Sequence, residues 1–498
     1  MNVNPITRLD YPDPDVIRVE DTYYMVSTTM HFMPGCEILQ SFDLVHWEHA
    51  TYVYETLDHT DAQQLKSGQN IYGQGMWAAS LRYHEGRFYI CFVANDTRKT
   101  YLYTSEKIDG PWKKQLIEGF YHDGSLLFDE DGRNYIVYGN DEIWITELNE
   151  DLTAPKKDGL HRLLVSDHKN PELGYEGSHI QKINGYYYIF LIHSLRDRWM
   201  RTEACFYSDS LEGEFTGGDV LCDDRGYCGQ GVAQGGIVDT PDGKWYAMLF
   251  QDSGAVGRIP ILVPVTWKDH FPVFGQNGHV PEEIEVHSTR PGYIYQPLVG
   301  SDDFCNGLLP RWQFNHDPDP RYYYLDALQG TYTITTREVC TELTQAVNTL
   351  TQRMSYPSCA AEVTVDASAL KEGDVAGLCA LQSCYAAVGI TKHHGKYEVL
   401  MLDKKEDGIL DMTERTVVES HQMDFRLEAD FCNMKDEARC YYRVNKGDWL
   451  PIGTVHKLYF KLDHFTGCRF GLFCYAAEET GGSACFRDFK YYDVDEIS

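Results

Sequence analysis

A short pattern recurs five times in the first half of this chain and limits its architecture more than any other feature. It is a turn residue, two further positions, then a tyrosine and an apolar run rich in β-formers. The copies are DTYYMVS from Asp21, GRFYICF from Gly86, GRNYIVY from Gly132, GYYYIFL from Gly185 and GKWYAML from Gly243. Their anchoring tyrosines, Tyr24, Tyr89, Tyr135, Tyr188 and Tyr246, stand 65, 46, 53 and 58 residues apart. Self-similarity at roughly 50 residues marks stacked supersecondary units, and that length holds about four short strands, as a propeller blade does.

A second motif travels with the first: a Ser or Thr, an acidic residue and a bulky turn, as in SFDLVHW, TSEKIDGPW and YSDSLEGEF. These read as turns between a blade's outer strands. Helical periodicity is hard to find, so the expectation is an all-β chain. A five-bladed β-propeller is expected within residues 1–290, with blades over about residues 5–280. The stretch from Pro291 to Phe304 departs from the repeat and reads as a linker. Beyond it, TYTITTREV, AAEVTVDA and YAAVGITK alternate like strands, giving an expected β-sandwich over residues 301–498. At 498 residues the chain is too long for one ordinary core, which agrees with two domains.

A net charge of −31 argues against nucleic acid, whose binding needs clustered Lys and Arg to neutralise phosphates. No run of eighteen apolar residues points to a membrane span, and the start lacks an apolar leader core. The 15 cysteines are scattered without a CxxC pair, which reads as reduced thiols and a cytoplasmic protein. The 35 Tyr, 22 Phe and 9 Trp suit strands, and their flat faces also suit sugar rings. A homo-oligomer stays open.

The repeat also locates chemistry. Eleven or twelve residues before the five tyrosines stand Asp13, Trp77, Asp123, Glu176 and Gln234. Equivalent blade positions are related by rotation about the propeller axis, so inner-strand residues there converge on one pocket. Three of the five are acids. Asp13 lies in YPDPDV, where prolines fix the backbone. Asp123 in HDGS and Glu176 in YEGS are followed by small residues that let a ligand approach. Glycosidic hydrolysis needs one group to protonate the leaving oxygen and another to activate water. A nearby third carboxyl raises an acid's pKa and orients it. The residues alone leave Asp15 open as an alternative to Asp13.

These motifs, with STTMHFMPGCEILQSFDLVHW, YGQGMWAASLRYHEGRFYI, GVAQGGIVDTPDGKWYAMLFQ and VGRIPILVPVTW, resemble glycoside hydrolase family 43, especially its β-xylosidase and α-L-arabinofuranosidase members. The resemblance implies that Asp13 is the general base, Asp123 the pKa tuner and Glu176 the general acid of an inverting enzyme. Inversion places base and acid roughly 6.5–9.5 Å apart. It further implies that Trp77, Arg258 and Phe32 line the sugar subsite. Gln234 stands where many relatives have a histidine beside a central calcium ion; Gln offers a carbonyl oxygen but no imidazole. Calcium is therefore an open ligand, and the acid/base chemistry requires no cofactor.

WQFNHDP, LTQAVNTLTQR and GDVAGLCALQ extend the resemblance to the C-terminal sandwich, which in such enzymes narrows the active-site mouth. The expected function is exo-hydrolysis releasing terminal β-1,4-xylose or α-L-arabinofuranose from hemicellulose oligosaccharides. Arabinan or galactan trimming and a non-catalytic sugar-binding propeller are the alternatives. Invertase-type WMNDP and RDP motifs are absent.

Overall fold

The structure, a computed structural model, describes residues 3–493; the ends of the expected domains, 1–2 and 494–498, lie outside the described residues. The five repeats are five antiparallel sheets. The first blade runs Asp15–Val19, Thr22–Val26, Gly35–Ser41 and Glu48–Tyr54, and the second Met76–His84, Arg87–Ala94, Lys99–Ser105 and Lys113–Ile117. The third is Ser125–Phe128, Asn134–Asn140, Glu142–Leu148 and His161–Ser166, and the fourth Glu176–Ile183, Tyr186–Ser194, Arg201–Ser208 and Thr216–Leu221. In the fifth, two short inner pieces, Val232–Ala233 and Ile237–Asp239, pair with Trp245–Asp252, followed by Arg258–Lys268 and Phe271–Phe274.

Each anchoring tyrosine sits on its blade's second strand, opposite Ile17, Arg82, Leu127, Gln181 and Val238. That strand is flanked by neighbouring blades on both faces, which explains an uninterrupted apolar run such as YYYIFLI, buried almost throughout. Outermost strands such as Lys113–Ile117 face water and are polar. The repeat's glycines close the inner hairpins. Asn184 and Gly185 both have positive φ, 51° and 85°, as a tight I′ turn requires.

The C-terminal half forms a seven-stranded and an eight-stranded sheet enclosing one large apolar core. The eight-stranded sheet takes its edge strand, Phe32–Met33, from the first blade: Met33 pairs with Phe314 and Phe32 with Asn315. The two domains are thus tied by a shared sheet. They are also clasped by a buried ion pair, Arg353 Nη1 to Glu37 Oε2 at 2.8 Å. The linker lies along the first blade, where the Tyr295 hydroxyl accepts from the Phe42 N–H at 2.9 Å. Among the described residues, no helix is long and apolar enough to cross a membrane.

Candidate active site

Asp13, Asp123 and Gln234 occupy equivalent places at the inner ends of three blades, and all are left-handed, with φ of 53°, 48° and 64°. In the fourth blade Gly177 takes that conformation, φ 65°, and Glu176 precedes it. A left-handed non-glycine backbone costs about 1–2 kcal/mol, and such strain concentrates at functional sites. Here it turns side chains off the strand direction toward the axis. All three acids, with Trp77, Gln234 and Arg258, line one cavity of about 690 Å³ at the axial end.

Asp13 is nearly buried. Its Oδ2 accepts from Thr28 Oγ1 at 2.6 Å, and its Oδ1 lies 3.1 Å from Arg258 Nη1. Arg258 is itself buried and lies 4.3 Å from the centre of the Phe465 ring, a cation–π contact that holds the guanidinium in place. Asp123 Oδ2 accepts the Gly177 N–H at 3.0 Å, which ties it to the residue beside Glu176. Burial raises the Asp123 carboxyl to about 6; Glu176 and Asp13 add to the rise, while His122 and the Gly177 N–H oppose it. Glu176 Oε2 accepts from Asn140 Nδ2 at 2.7 Å. The buried Trp77 Nε1 has no protein partner, which leaves it free to donate to a ligand hydroxyl.

Asp15 is a different kind of acid. It points along the axis beneath the cavity, fully buried, and accepts from Arg82 Nη1 and from the Leu81 N–H, both at 2.7 Å. His179 Nδ1 lies 3.2 Å from its other oxygen. Burial would raise its pKa, but Arg82 and His179 hold it at about 2. Of the two, Asp13 lines the cavity and Asp15 does not.

The expectation for Phe32 is corrected: it does not line the cavity. Residues 32–33 leave the blade to join the sandwich sheet, and the ring lies in a sandwich core cluster, 3.4 Å from the Arg469 guanidinium. Met30, two residues earlier, lines the cavity instead.

Calcium fits poorly here. It takes 6–8 oxygen ligands. The axial oxygens of Asp15, Leu126, Ser125 and Ile180 all accept from Arg82, whose guanidinium is already the cation at their centre. Beside Gln234, the Glu203 carboxyl accepts the Gln234 backbone N–H. The side chains His122, Asp123 and Glu176 bring ligand atoms within 4.8 Å of one another but supply only two carboxyl groups. The carboxylates also keep the imidazole in its proton-bearing form.

Several lining residues carry no repeat signal. Arg201 and Asp252 form an ion pair at 2.7 Å in the cavity wall. Trp199 comes from the fourth blade's 195–200 loop, and Met434, Phe460, Leu462 and Phe465 come from the sandwich. The loop carrying the last three is anchored by Asp10, which accepts from the N–H groups of Gly467 at 2.7 Å and Arg258 at 2.8 Å.

Five radial sheets, three axial carboxyl groups and a sandwich that walls one side of the pocket define a carbohydrate-active propeller enzyme. Residues 3–272 match Glycosyl hydrolases family 43, and residues 301–492 match the β-xylosidase C-terminal concanavalin A-like domain. The chain belongs to glycoside hydrolase family 43, an inverting family. It is 27% identical over 556 aligned positions to a β-xylosidase of Formosa agariphila, spanning 99% of this chain and 89% of that protein. A non-reducing end α-L-arabinofuranosidase of Bacteroides ovatus is 24% identical over 82% of this chain and 79% of its own. Among solved structures, a bifunctional GH43-CE protein of Bacteroides eggerthii superposes with a TM-score of 0.92 at 42% identity. That match covers all of this chain, which spans 64% of the longer protein.

Proposed function

We propose that this glycoside hydrolase removes terminal β-1,4-linked xylose, α-L-arabinofuranose, or both, from the ends of hemicellulose oligosaccharides. The observation that carries exo action is the form of the cavity. Its axial floor is plugged by Asp15, Arg82 and His179, and the sandwich contributes four apolar side chains to its wall. Both supports favour a chain end over the middle of a polymer. Relatives named for xylose and for arabinofuranose support both sugars.

In this reading Asp13 takes a proton from the attacking water, with Arg258 and Thr28 fixing its orientation. Glu176 protonates the leaving oxygen. Asp123 holds Glu176 in place through the Gly177 N–H and keeps a second acidic group beside it. All fifteen cysteines are free, which supports a reducing compartment, and we assign the enzyme to the cytoplasm.

The test compares wild type, Asp13→Ala and Glu176→Ala on nitrophenyl β-xyloside, nitrophenyl α-L-arabinofuranoside and xylobiose. Both variants are expected to lose activity, Glu176→Ala least on the nitrophenyl substrates, whose leaving groups need little protonation. Full activity of either variant on every substrate would overturn the assignment of roles.

A further inference from the structure

His122 immediately precedes Asp123 in the segment leading into the third blade. Its Nε2 lies 3.5 Å from Asp123 Oδ2 and 3.5 Å from Glu176 Oε2, so one ring nitrogen bridges two of the three acids. That nitrogen is buried and makes no hydrogen bond in the resting geometry. Trp77 packs edge-on against the ring, with centroids 5.8 Å apart, and limits its rotation. The charged groups acting on it are carboxylates: Asp123, Glu176 and, farther off, Asp13, itself paired with Arg258. Burial works against a charged imidazole, yet these three groups as carboxylates raise His122 to about 9, so once Glu176 has given up its proton the ring holds its own at neutral pH. The same group does not serve as the base, because a protonated ring has no lone pair to offer.

We propose that His122 is the charge partner of the general acid, its ring N–H stabilising the carboxylate that Glu176 becomes. The proposal rests on Glu176 being that acid. As the glycosidic C–O bond breaks, its electron pair goes to the leaving oxygen, which takes the Glu176 proton. The His122 Nε2–H then donates to Oε2 of the new carboxylate and keeps its proton. Glu176 regains its proton from water, which its side chain, one-fifth exposed, can reach. Asp13 meanwhile releases to water the proton it took from the nucleophile, so the cycle consumes no net proton. The 3.5 Å contact shortens into a charge-assisted hydrogen bond of about 2.8 Å as the site closes on substrate, a tightening common to catalytic contacts. Asn140 already fixes the accepting oxygen at 2.7 Å, so the movement falls to the ring.

The test measures kcat and KM for His122→Asn and His122→Gln from pH 5 to 9, on xylobiose and on dinitrophenyl β-xyloside, with Glu176→Gln as reference. Folding is checked by thermal melts. Expected for both His122 variants is a kcat loss on xylobiose of about ten-fold or more, within the range for a hydrogen bond to a charged group. KM should stay within about two-fold, the loss on the dinitrophenyl substrate should be under about three-fold, the alkaline limb should move, and added imidazole should restore part of the rate. Equal losses on both substrates, or an unmoved pH limb, overturn the proposal. If Glu176→Gln shows the leaving-group dependence and the His122 variants do not, only the role of His122 fails. If Glu176→Gln itself shows none, the general-acid reading fails and takes this proposal with it.

Discussion

Replacing Arg353 with methionine should unclasp the two domains. Arg353 ends the sandwich strand Leu350–Arg353, and its guanidinium lies 2.8 Å from Glu37 Oε2 on the first blade, with both side chains almost fully buried. The Arg353 Nε also donates to the Asp10 carbonyl at 2.9 Å, and the guanidinium lies 4.0 Å from the centre of the Tyr11 ring. Burial alone would raise the Glu37 carboxyl, yet Arg353 and His49 hold it below its ordinary value, so the pair is ionised at neutral pH. At an effective dielectric constant near 20, charges at that separation attract by about 6 kcal/mol, most of it offset by desolvation. Removing Arg353 leaves buried Glu37 with only His49, 3.0 Å away, to balance it, and costs up to about 3–5 kcal/mol. At about 2–4 °C per kcal/mol for domains of this size, Arg353→Met should lower Tm by about 10 °C. Glu37→Gln should act similarly, and Glu37→Gln with Arg353→Met should recover most of the loss, because neither charge is then stranded. Scanning calorimetry of the four proteins provides the readout. Single variants within about 2 °C of wild type, or a double variant with additive losses, would refute the reasoning.

Gly467→Ala forces a methyl group against the Val256 carbonyl and the Asp10 side chain; displacing the loop with Phe460 and Phe465 should raise KM several-fold with a smaller change in kcat, measured by steady-state kinetics. Arg82→Met removes the strongest partner of buried Asp15 and should cost up to about 3–5 kcal/mol, read from urea unfolding. His122, raised from 6.5 to about 9 in the fold, contributes stability that is fully present below pH 6.5 and lost as pH rises through 9. That window is worth on the order of 3 kcal/mol, so His122→Asn should flatten the fall in Tm between pH 6.5 and 9.

The propeller was legible because each blade repeats one local sentence: a turn residue, a tyrosine and a two-sided apolar strand. The carboxyl groups followed from counting back along that repeat. His122 escaped the count because it sits one place off the matched position, although its place beside Asp123 was the available signal. Asn140, at the far end of a second strand, reaches Glu176 only through the blade's geometry. Phe32 misled for a physical reason: a two-residue strand can pair with a sheet some 280 residues away, and no local pattern announces the partner. The sandwich side chains in the cavity are legible only in three dimensions for the same reason. Asp10 and Gly467 meet across 457 residues. What the sequence could supply was the local rule, and what it lacked was long-range pairing.

The central claim is that Asp13 and Glu176 work as separate base and acid on opposite sides of the scissile bond. Proton NMR of the first sugar released from a β-xyloside, recorded before mutarotation, tests it most directly. Direct attack by water activated at Asp13 gives α-xylose first. Initial appearance of β-xylose would mean a covalent intermediate on one of these carboxyl groups, and would contradict the account.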